Sequence, residues 1–305
     1  MELVVEQIKK GSKAPGPGVY SGVSFDDYIT WPYINHSLLR HLRRSPAHMK
    51  VEMESKAQPT DVQREGTILH ELVVEPHLRG KYLALPEEEI LGKIPNVEKY
   101  KRPKSTKAWK DAVKEFTDKN PGKVIVPKER MQELEEISRR VIEHLVCLKA
   151  EKRYNEVSMV WQDEDTGIHC KGRIDQLGVS ENGKPCWIFD MKKHDDRCSF
   201  QEAIYKRGYH SQMAFYRSGL SHFLDGRMIP VHVMCIETTK PYTIQCAPMS
   251  GSCLHMGMGE NHDAIFRVSD CIKSGNWPGP ESPSEWELPE RAYRAVTRTG
   301  TYSTR

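Results

Sequence analysis

The sequence lacks any long hydrophobic run. Of its 305 residues, 38% are hydrophobic and 8% aromatic, and no apolar stretch approaches the roughly 20 residues that a membrane-spanning helix needs. The first residues, Met1-Glu2-Leu3, include no basic flank before an apolar segment, so they do not indicate a secretory signal. These absences argue against a membrane protein and lead us to expect a cytoplasmic one.

Closely spaced cysteines are lacking as well. The 8 cysteines never lie closer than seven positions apart, and no two of them form a CxxC pair. Zinc ribbons, disulfide scaffolds and iron–sulfur clusters usually bring cysteines close together in the sequence. The spacing therefore argues against all three kinds of site.

The chain has little excess of either charge. It carries 45 lysines and arginines against 42 acids, a net charge of +3, so its overall charge does not indicate a nucleic-acid-binding protein. Residues 93–110 are a local exception, with seven cations and one acid. We interpret this basic segment as a candidate phosphate-contacting surface, and a solvated lysine-rich loop is the alternative. Its candidate DNA contacts are Lys101, Arg102, Lys104 and Lys107.

Hydrophobic periodicity predicts a mainly helical first half. Glycines and prolines interrupt residues 1–30, which predicts an extended arm. Apolar stripes with stop signals predict helices and one short strand in the half that follows. The predicted helices run from Ser37 to Pro46, Val62 to Val74, Ser105 to Asp118 and Pro127 to about Lys149, and the strand covers 124–126.

From residue 156 the pattern changes to alternation, which predicts strands. Turn signals between the first three runs, 156–162, 169–179 and 186–192, predict an antiparallel meander. We expect one α/β domain with a mixed central sheet flanked by helices, comprising a helical half, 31–150, and a catalytic half, 151–275. Later elements are predicted as a helix at 200–224, strands at 229–236 and 242–246, a helix at 261–273, and a Pro-rich basic tail at 276–305.

Acids and cations converge on two of these strands. Residues two apart on a strand share a face, which pairs Asp190 with Lys192 and Arg173 with Asp175. In a suitable register the two carboxylates would meet, and burying them together is costly unless a cation compensates. Mg²⁺ or Mn²⁺ suits such hard oxygen ligands. The alternative is an exposed salt bridge between Asp190 and Lys192.

The helix after these strands carries an aromatic and amide stripe. Tyr205, Tyr209, Gln212 and Tyr216 recur at intervals of four, three and four, which predicts one helical face. Such a stripe can stack on bases or hold phosphates, and amphipathic packing is the alternative. His70, within an earlier helix, is a candidate metal ligand or phosphate contact, with a structural histidine as the alternative.

Several of these motifs, taken in order, resemble those of the PD-(D/E)xK nucleases of the RecB and exonuclease VIII (RecE) type. The similarity covers roughly residues 20–280 and is strongest to the phage-borne exonuclease VIII group. The motifs are Gly66-Thr67-Ile68-Leu69-His70, Glu75-Pro76, Gly172-Arg173-Ile174-Asp175, Asp190-Met191-Lys192 and Gln212-x-x-x-Tyr216.

The resemblance implies a restriction-endonuclease-like fold and a role for each matching residue. Asp175 and Asp190 would be metal ligands with His70 nearby, and Lys192 would be the catalytic lysine. The further implied site residues are Glu156 as an accessory acid and Gln212 with Tyr216 beside the active site. From the strand cluster and the helix stripe we also predict Arg173, Tyr205 and Tyr209 as DNA contacts.

The implied activity is Mg²⁺-dependent exonucleolytic resection of duplex DNA ends, 5′ to 3′, for recombination or repair. The resemblance also implies a ring-shaped homo-oligomer, a single-strand annealing partner and the cytoplasm of a bacterial host or prophage carrier. Two alternatives keep the same fold: an endonuclease or single-strand nuclease, and a DNA-binding protein without activity. The joint presence of Asp175, Asp190 and Lys192 argues against the inactive alternative.

Overall fold

A seven-stranded mixed sheet, flanked on both faces by helices, forms the centre of the molecule. The structure is a computed structural model that describes residues 3–55, 61–145, 147–194 and 198–287. The predicted fold class, a restriction-endonuclease-like mixed sheet, is confirmed. In chain order the described strands are β1 (Glu6–Gln7), β2 (Gly18–Ser21), β3 (Tyr82–Leu85), β4 (Val124–Pro127), β5 (Lys152–Gln162), β6 (His169–Val179), β7 (Pro185–His194), β8 (Val231–Glu237) and β9 (Ile244–Pro248).

The strands of the main sheet follow the order β1-β2-β5-β6-β7-β8-β9. Strands β5, β6 and β7 form the predicted antiparallel meander. Strand β8 pairs with β7 in parallel because the chain crosses over through helices before returning. Strands β3 and β4 form a separate parallel pair. Their residues pack with 87–119 around a hydrophobic cluster of their own, and we call this part of the molecule the small lobe.

Ten helices cover the two faces of the sheet and build the small lobe within the described residues. None of them is long and apolar enough to cross a membrane. Short 3₁₀ turns occupy Arg40–Arg43, Pro76–Lys81, Val97–Lys99 and Pro103–Ser105. The helices are α1 (Phe25–Thr30), α2 (His36–Leu39), α3 (Pro46–Glu54), α4 (Asp61–Val74), α5 (Glu87–Gly92), α6 (Lys107–Lys119), α7 (Lys128–Leu145), α8 (Phe200–Lys206), α9 (Tyr209–Ser221) and α10 (Gly251–Ser274).

Separate hydrophobic cores lie on the two faces of the sheet. Helices α9 and α10 contribute to one core and α4 and α7 to the other. Because side chains alternate along a strand, Ile188 of β7 enters the first core and the adjacent Phe189 enters the second. Strand β7 is therefore buried on both sides along 187–190, so Asp190 lies in a medium of low dielectric constant.

Residues 1–30 were predicted to form an extended arm, but their described part contains β1, β2 and α1. Val19 and Tyr20 of β2 are apolar and buried, and β2 pairs with β5, where Gly18 lies opposite Val160. The glycines and prolines separate these short elements without preventing them. The first half of the chain therefore contributes to the sheet as well as to the helical layer.

The predicted helix over 200–224 is also wrong in one respect. Gly208 adopts a left-handed conformation, with φ of 68°, and separates α8 from α9. A left-handed residue cannot continue a right-handed helix, and glycine adopts this conformation without strain. The two helices consequently present their side chains in different directions.

Two prolines have roles other than those predicted. Pro46 occupies the first turn of α3, after Ser45 caps that helix, and does not simply end the preceding one. Pro127 is the last residue of β4, and α7 begins one residue later. The arginines predicted for the basic tail, Arg291 onward, lie outside the described residues.

Candidate metal centre

The candidate site lies where β6 and β7 separate. Their ladder ends at the pair Gln176 and Phe189, and Asp175 and Asp190 are the next residues along the two strands. The backbone N–H of Met191 donates to Asp175 Oδ2 at 2.8 Å, so a carboxylate takes the place of a strand partner.

His70 of α4 joins two carboxylates at this fork. Its Nδ1 lies 2.9 Å from Glu156 Oε1, and its Nε2 lies 3.1 Å from Asp175 Oδ1. Each of the three residues offers a ligand atom, and these atoms lie within 4.8 Å of one another. The predicted metal ligands were His70, Asp175 and Asp190. The cluster in the structure consists of His70, Glu156 and Asp175, and Asp190 is not a member of it.

The backbone of β5 is irregular at Glu156. Its φ of 53° is left-handed, although its neighbours Asn155 and Val157 keep their pairing with β6. A non-glycine residue in this conformation costs about 1–3 kcal/mol, and such residues concentrate at functional sites. The predicted strand began at Glu156, whereas β5 begins at Lys152 and places Glu156 in its interior.

Arg173 is enclosed within the site. Its side chain is 10% exposed, its Nε donates to Glu156, and its Nη1 donates to the carbonyl of Val23 at 2.8 Å. The rings of Phe25 and Tyr28 lie 6.0 and 5.9 Å from its Cζ. These bonds tie Glu156 to the N-terminal segment and already engage the guanidinium that was predicted to contact DNA.

Asp190 and Lys192 form a buried ion pair. Lys192 Nζ lies 2.6 Å from Asp190 Oδ1, and the side chains are 15% and 2% exposed. The alternative of an exposed salt bridge is therefore wrong. Asp190 Oδ1 has no hydrogen bond of acceptable geometry among the described residues, and burial, together with the charge of Asp175, raises the pKa of Asp190 to about 7.

Attraction between opposite charges keeps His70 and Asp175 ionised. Burial lowers the pKa of His70, but Asp175 and Glu156 outweigh it and hold that pKa well above its ordinary value. Burial likewise opposes ionisation of Asp175, yet His70, Lys192 and the Met191 N–H lower its pKa overall. The imidazolium thus holds the carboxylates together, and His70 must release a proton before one of its nitrogens can bind a metal ion. The carboxylate oxygens together with the neutral imidazole form a donor set that fits a divalent cation.

Three members of the predicted aromatic stripe lie at this site. Tyr209 lies beneath Lys192, whose Nζ is 5.1 Å from the ring centroid. Gln212 Nε2 donates to the hydroxyl of Tyr216 at 2.9 Å. The Tyr216 ring packs on Gly172, where a Cβ would come within 3.1 Å of it. This close approach explains the glycine in that motif.

Tyr205 does not join the other three. It lies on α8, is exposed, and stacks on His210 with 6.0 Å between ring centroids. The break at Gly208 ends the helical register that predicted one face.

The basic segment lies on the small lobe, beside α5 and α6. Lys104 pairs with Glu87 and stands over the Trp109 ring, and Lys93 pairs with Glu89 at 2.7 Å. Acids just outside residues 93–110 therefore offset part of the charge counted from the sequence. Lys101, Arg102 and Lys107 are exposed.

The residue roles inferred from the sequence omitted Glu75. This half-buried carboxyl follows α4, and burial, followed by the charge of Glu156, raises its pKa. The Glu75-Pro76 motif in the sequence could have identified this carboxyl as a site residue. The carbonyl of Val23 was also missed, and no sequence signal identifies a backbone acceptor.

Comparison with known proteins identifies the same kind of domain. A PDDEXK-like domain of unknown function (DUF3799) matches residues 35–284. The crystal structure of a "Putative exonuclease" from Eubacterium rectale superposes with a TM-score of 0.53 at 15% identity, covering 92% of this chain and 94% of that chain. At this identity the likeness shows the fold alone. No curated protein gives a significant match.

Two further crystal structures align less well. SSO0001 gives a TM-score of 0.28 at 13% identity, covering 66% of this chain and 85% of that chain. Protein VC1899 from Vibrio cholerae gives 0.19 at 10%, covering 81% and 59%. These scores are too low to bear on the fold. The family match spans most of the sequence and includes the whole fork with its histidine, and the chain therefore belongs to the PDDEXK-like family DUF3799.

Proposed function

We propose that the protein is a Mg²⁺-dependent exodeoxyribonuclease that resects duplex DNA ends from 5′ to 3′ and leaves single-stranded tails. The observation that carries this proposal is the fork between β6 and β7, where His70, Glu156 and Asp175 converge beside the buried pair Asp190 and Lys192. The PDDEXK-like family and the exonuclease-like fold support hydrolysis of DNA.

The proposed metal ligands are His70, Asp175 and Asp190, with Glu156 as the accessory acid. A divalent ion bound there lowers the pKa of a bound water and stabilises negative charge on a phosphoryl group; Mn²⁺ could replace Mg²⁺. Asp190 supports this assignment, because burial and the charge of Asp175 raise its pKa although Lys192 Nζ lies 2.6 Å from its Oδ1. A divalent ion beside the two carboxyls would offset the repulsion that Lys192 leaves.

Lys192 is the proposed catalytic lysine. Burial opposes its charge, but Asp190 and Asp175 raise its pKa, so the side chain stays an ammonium. A fixed cation at this position stabilises the charge that develops on the phosphate and orients the attacking water. Tyr209 limits its movement from below, and the bonded pair Gln212 and Tyr216 forms the adjacent wall.

The test uses one DNA sequence as an end-labelled linear duplex and as a closed circle. With Mg²⁺ we expect loss of the 5′ label from the linear form, an intact circle, and no hydrolysis in EDTA. Asp175→Asn should abolish hydrolysis, and the matched control Glu164→Gln, an exposed acid on a turn, should not. Hydrolysis that persists in Asp175→Asn would contradict the proposed site.

The same assay separates the alternatives. Cutting of the circle would indicate an endonuclease, digestion of single strands alone would indicate a single-strand nuclease, and binding without turnover would indicate an inactive DNA-binding protein. Each of these outcomes would replace the proposed exonuclease.

We also propose an assembly and a setting for the enzyme. A ring-shaped homo-oligomer that encloses DNA would act in recombination or repair, in the bacterial cytoplasm, and pass its tails to a single-strand annealing protein. Light scattering should give a mass that is a multiple of 35.1 kDa. A monomer that resects long duplexes without dissociating would contradict the ring.

A further inference from the structure

Helix α1 presents an apolar face to solvent beside the metal cluster. Phe25 is 61% exposed and Ile29 is 55% exposed. Residues four apart on a helix lie on the same face, so the two side chains form one patch. We call Phe25 and Ile29 the α1 patch.

The α1 patch is close to the proposed reacting atoms. The Phe25 ring centroid lies 6.0 Å from Arg173 Cζ, and Arg173 donates to Glu156. The other oxygen of Glu156 lies 2.9 Å from His70. Successive bases of one strand are about 3.4 Å apart, so a nucleic acid bound at the cluster would place a base within two or three nucleotides against the patch.

Contacts at both ends hold α1 in place. The side chain of Ser24 accepts the N–H of Asp27 at the start of the helix. At its end, Lys171 Nζ donates to the carbonyls of Tyr28 at 2.9 Å and Trp31 at 2.6 Å. An apolar surface that is already fixed loses little conformational entropy when a ligand covers it.

The charge around the patch selects the kind of ligand. Helix α1 contains two acids, Asp26 and Asp27, and no lysine or arginine. Phosphates are therefore disfavoured on this helix, whereas the flat apolar face of a base suits an exposed aromatic ring. Arg173, whose Cζ lies 6.0 Å from the Phe25 ring, is already engaged by Glu156 and Val23.

We propose that Phe25, supported by Ile29, stacks on a nucleobase of the DNA strand that is hydrolysed and so sets the position of the scissile phosphate. This inference rests on the proposed function, since it assumes that DNA binds at the fork. It extends the substrate-binding region to a segment that precedes the matched family domain.

The test measures equilibrium binding of the full chain to duplex ends, with Ca²⁺ replacing Mg²⁺ to prevent hydrolysis. One substrate series has all its bases, and a second has a single abasic nucleotide moved through the first few positions. Phe25→Ala should weaken binding about ten-fold for intact DNA, and should have no effect where the abasic position removes the stacked base. Phe25→Trp should restore affinity.

Phe266→Ala is the matched control. Phe266 is also an exposed phenylalanine, but it lies on α10 against His262, 4.6 Å between ring centroids. Its replacement should change binding less than two-fold. An equal loss in this variant would show a general effect of removing surface aromatics and would overturn the inference.

The remaining outcomes separate this inference from the proposed function. Wild-type protein that neither binds nor hydrolyses DNA contradicts the proposed function and this inference with it. Wild-type protein that hydrolyses DNA, with Phe25→Ala equal to it on every substrate, overturns the stacking alone. A Phe25→Ala variant that changes oligomeric mass, with the same loss on intact and abasic DNA, would assign the α1 patch to contact between copies and overturn the inference.

Discussion

The fork between β6 and β7 and the surface of α6 contain the same types of charged residue in opposite surroundings. At the fork, Asp190 and Lys192 pair at 2.6 Å with almost no exposure. On α6, Lys114 and Asp118 pair at 3.0 Å in water. At the fork, burial and the neighbouring charge of Asp175 raise the pKa of Asp190 to about 7 despite its pairing with Lys192. Of these two ion pairs, the buried pair Asp190 and Lys192 is therefore the candidate for a catalytic role.

The energetic meaning of the two pairs differs in the same way. An exposed ion pair contributes about 0–1 kcal/mol, because water screens it and two flexible side chains must be ordered. Removing one partner of a buried pair leaves an uncompensated charge and costs about 3–5 kcal/mol. Matched substitutions in the two environments therefore test whether burial is what distinguishes the site.

The largest contrast is expected between two lysines. Lys192→Ala should lower the rate of DNA hydrolysis by about 10²–10³-fold, since it removes a preorganised cation from the reacting phosphate. Lys114→Ala, on α6, should change the rate less than two-fold. Initial rates on the labelled linear duplex measure both. Comparable rates in the two variants would contradict a catalytic role for Lys192.

The next contrast concerns two arginines and stability. Arg173→Gln should lower the free energy of unfolding by about 1–3 kcal/mol, because Glu156 keeps His70 but loses its arginine partner in a buried site. Arg139→Gln on α7, which removes exposed pairs with Glu136 and Glu143, should lower it much less. Urea unfolding measures both. A cost at Arg173 no greater than that at Arg139 would mean that its enclosure contributes nothing to stability.

A third contrast concerns pH and two histidines. Burial, followed by the charge of Arg40, lowers the pKa of His36 to about 3. As pH falls from 6.5 towards 3, the unfolded chain takes up a proton that the folded chain refuses, so the free energy of unfolding decreases. The slope approaches about 1.4 kcal/mol per pH unit. His36→Gln should remove this part of the acid sensitivity.

The exposed His262 supplies the control for that measurement. Urea unfolding at several pH values between 7 and 4 should give a shallower slope for His36→Gln than for wild type. The slope of His36→Gln is also compared with that of His262→Gln, which replaces a histidine at an exposed position of α10. Parallel slopes for all three proteins would show that His36 does not stay neutral in the folded state.

The smallest effect is expected in the basic segment. Replacing Lys101, Arg102 and Lys107 together by Gln should weaken DNA binding several-fold at low salt and reduce the salt slope by about 2–3. Lys104→Gln should do less, because Glu87 already neutralises that lysine. Binding titrations at a series of salt concentrations test this. An unchanged slope in the triple variant would remove the segment from the DNA interface.

Local rules predicted the part of the site that depends on neighbouring residues. The alternation in β6 and β7 and the turn between them predicted the meander, and the two-residue spacing placed Asp190 and Lys192 on one face. These features follow from strand geometry alone. A suitable register was a condition of the prediction that Asp175 and Asp190 meet; the β6–β7 ladder ends one residue before them, and the Met191 N–H donates to Asp175 there.

Features set by distant parts of the chain could not be predicted in the same way. The left-handed Glu156 follows from its bonds to His70 and Arg173, which are remote in the sequence. The N-terminal strands depend on β5 as a partner, so glycine and proline content alone was misleading. The break at Gly208 was readable as a glycine within a helical pattern, but its conformation was not.

Lys171 has a consequence for how the protein can be dissected. Its buried ammonium is satisfied by carbonyl oxygens at Tyr28 and Trp31, and burial lowers its pKa to about 8. The family match begins at residue 35, so a fragment cut at that boundary would lose these acceptors and leave the edge of β5 without a neighbour. The limits of a family match and the limits of a folding unit are different borders in this chain.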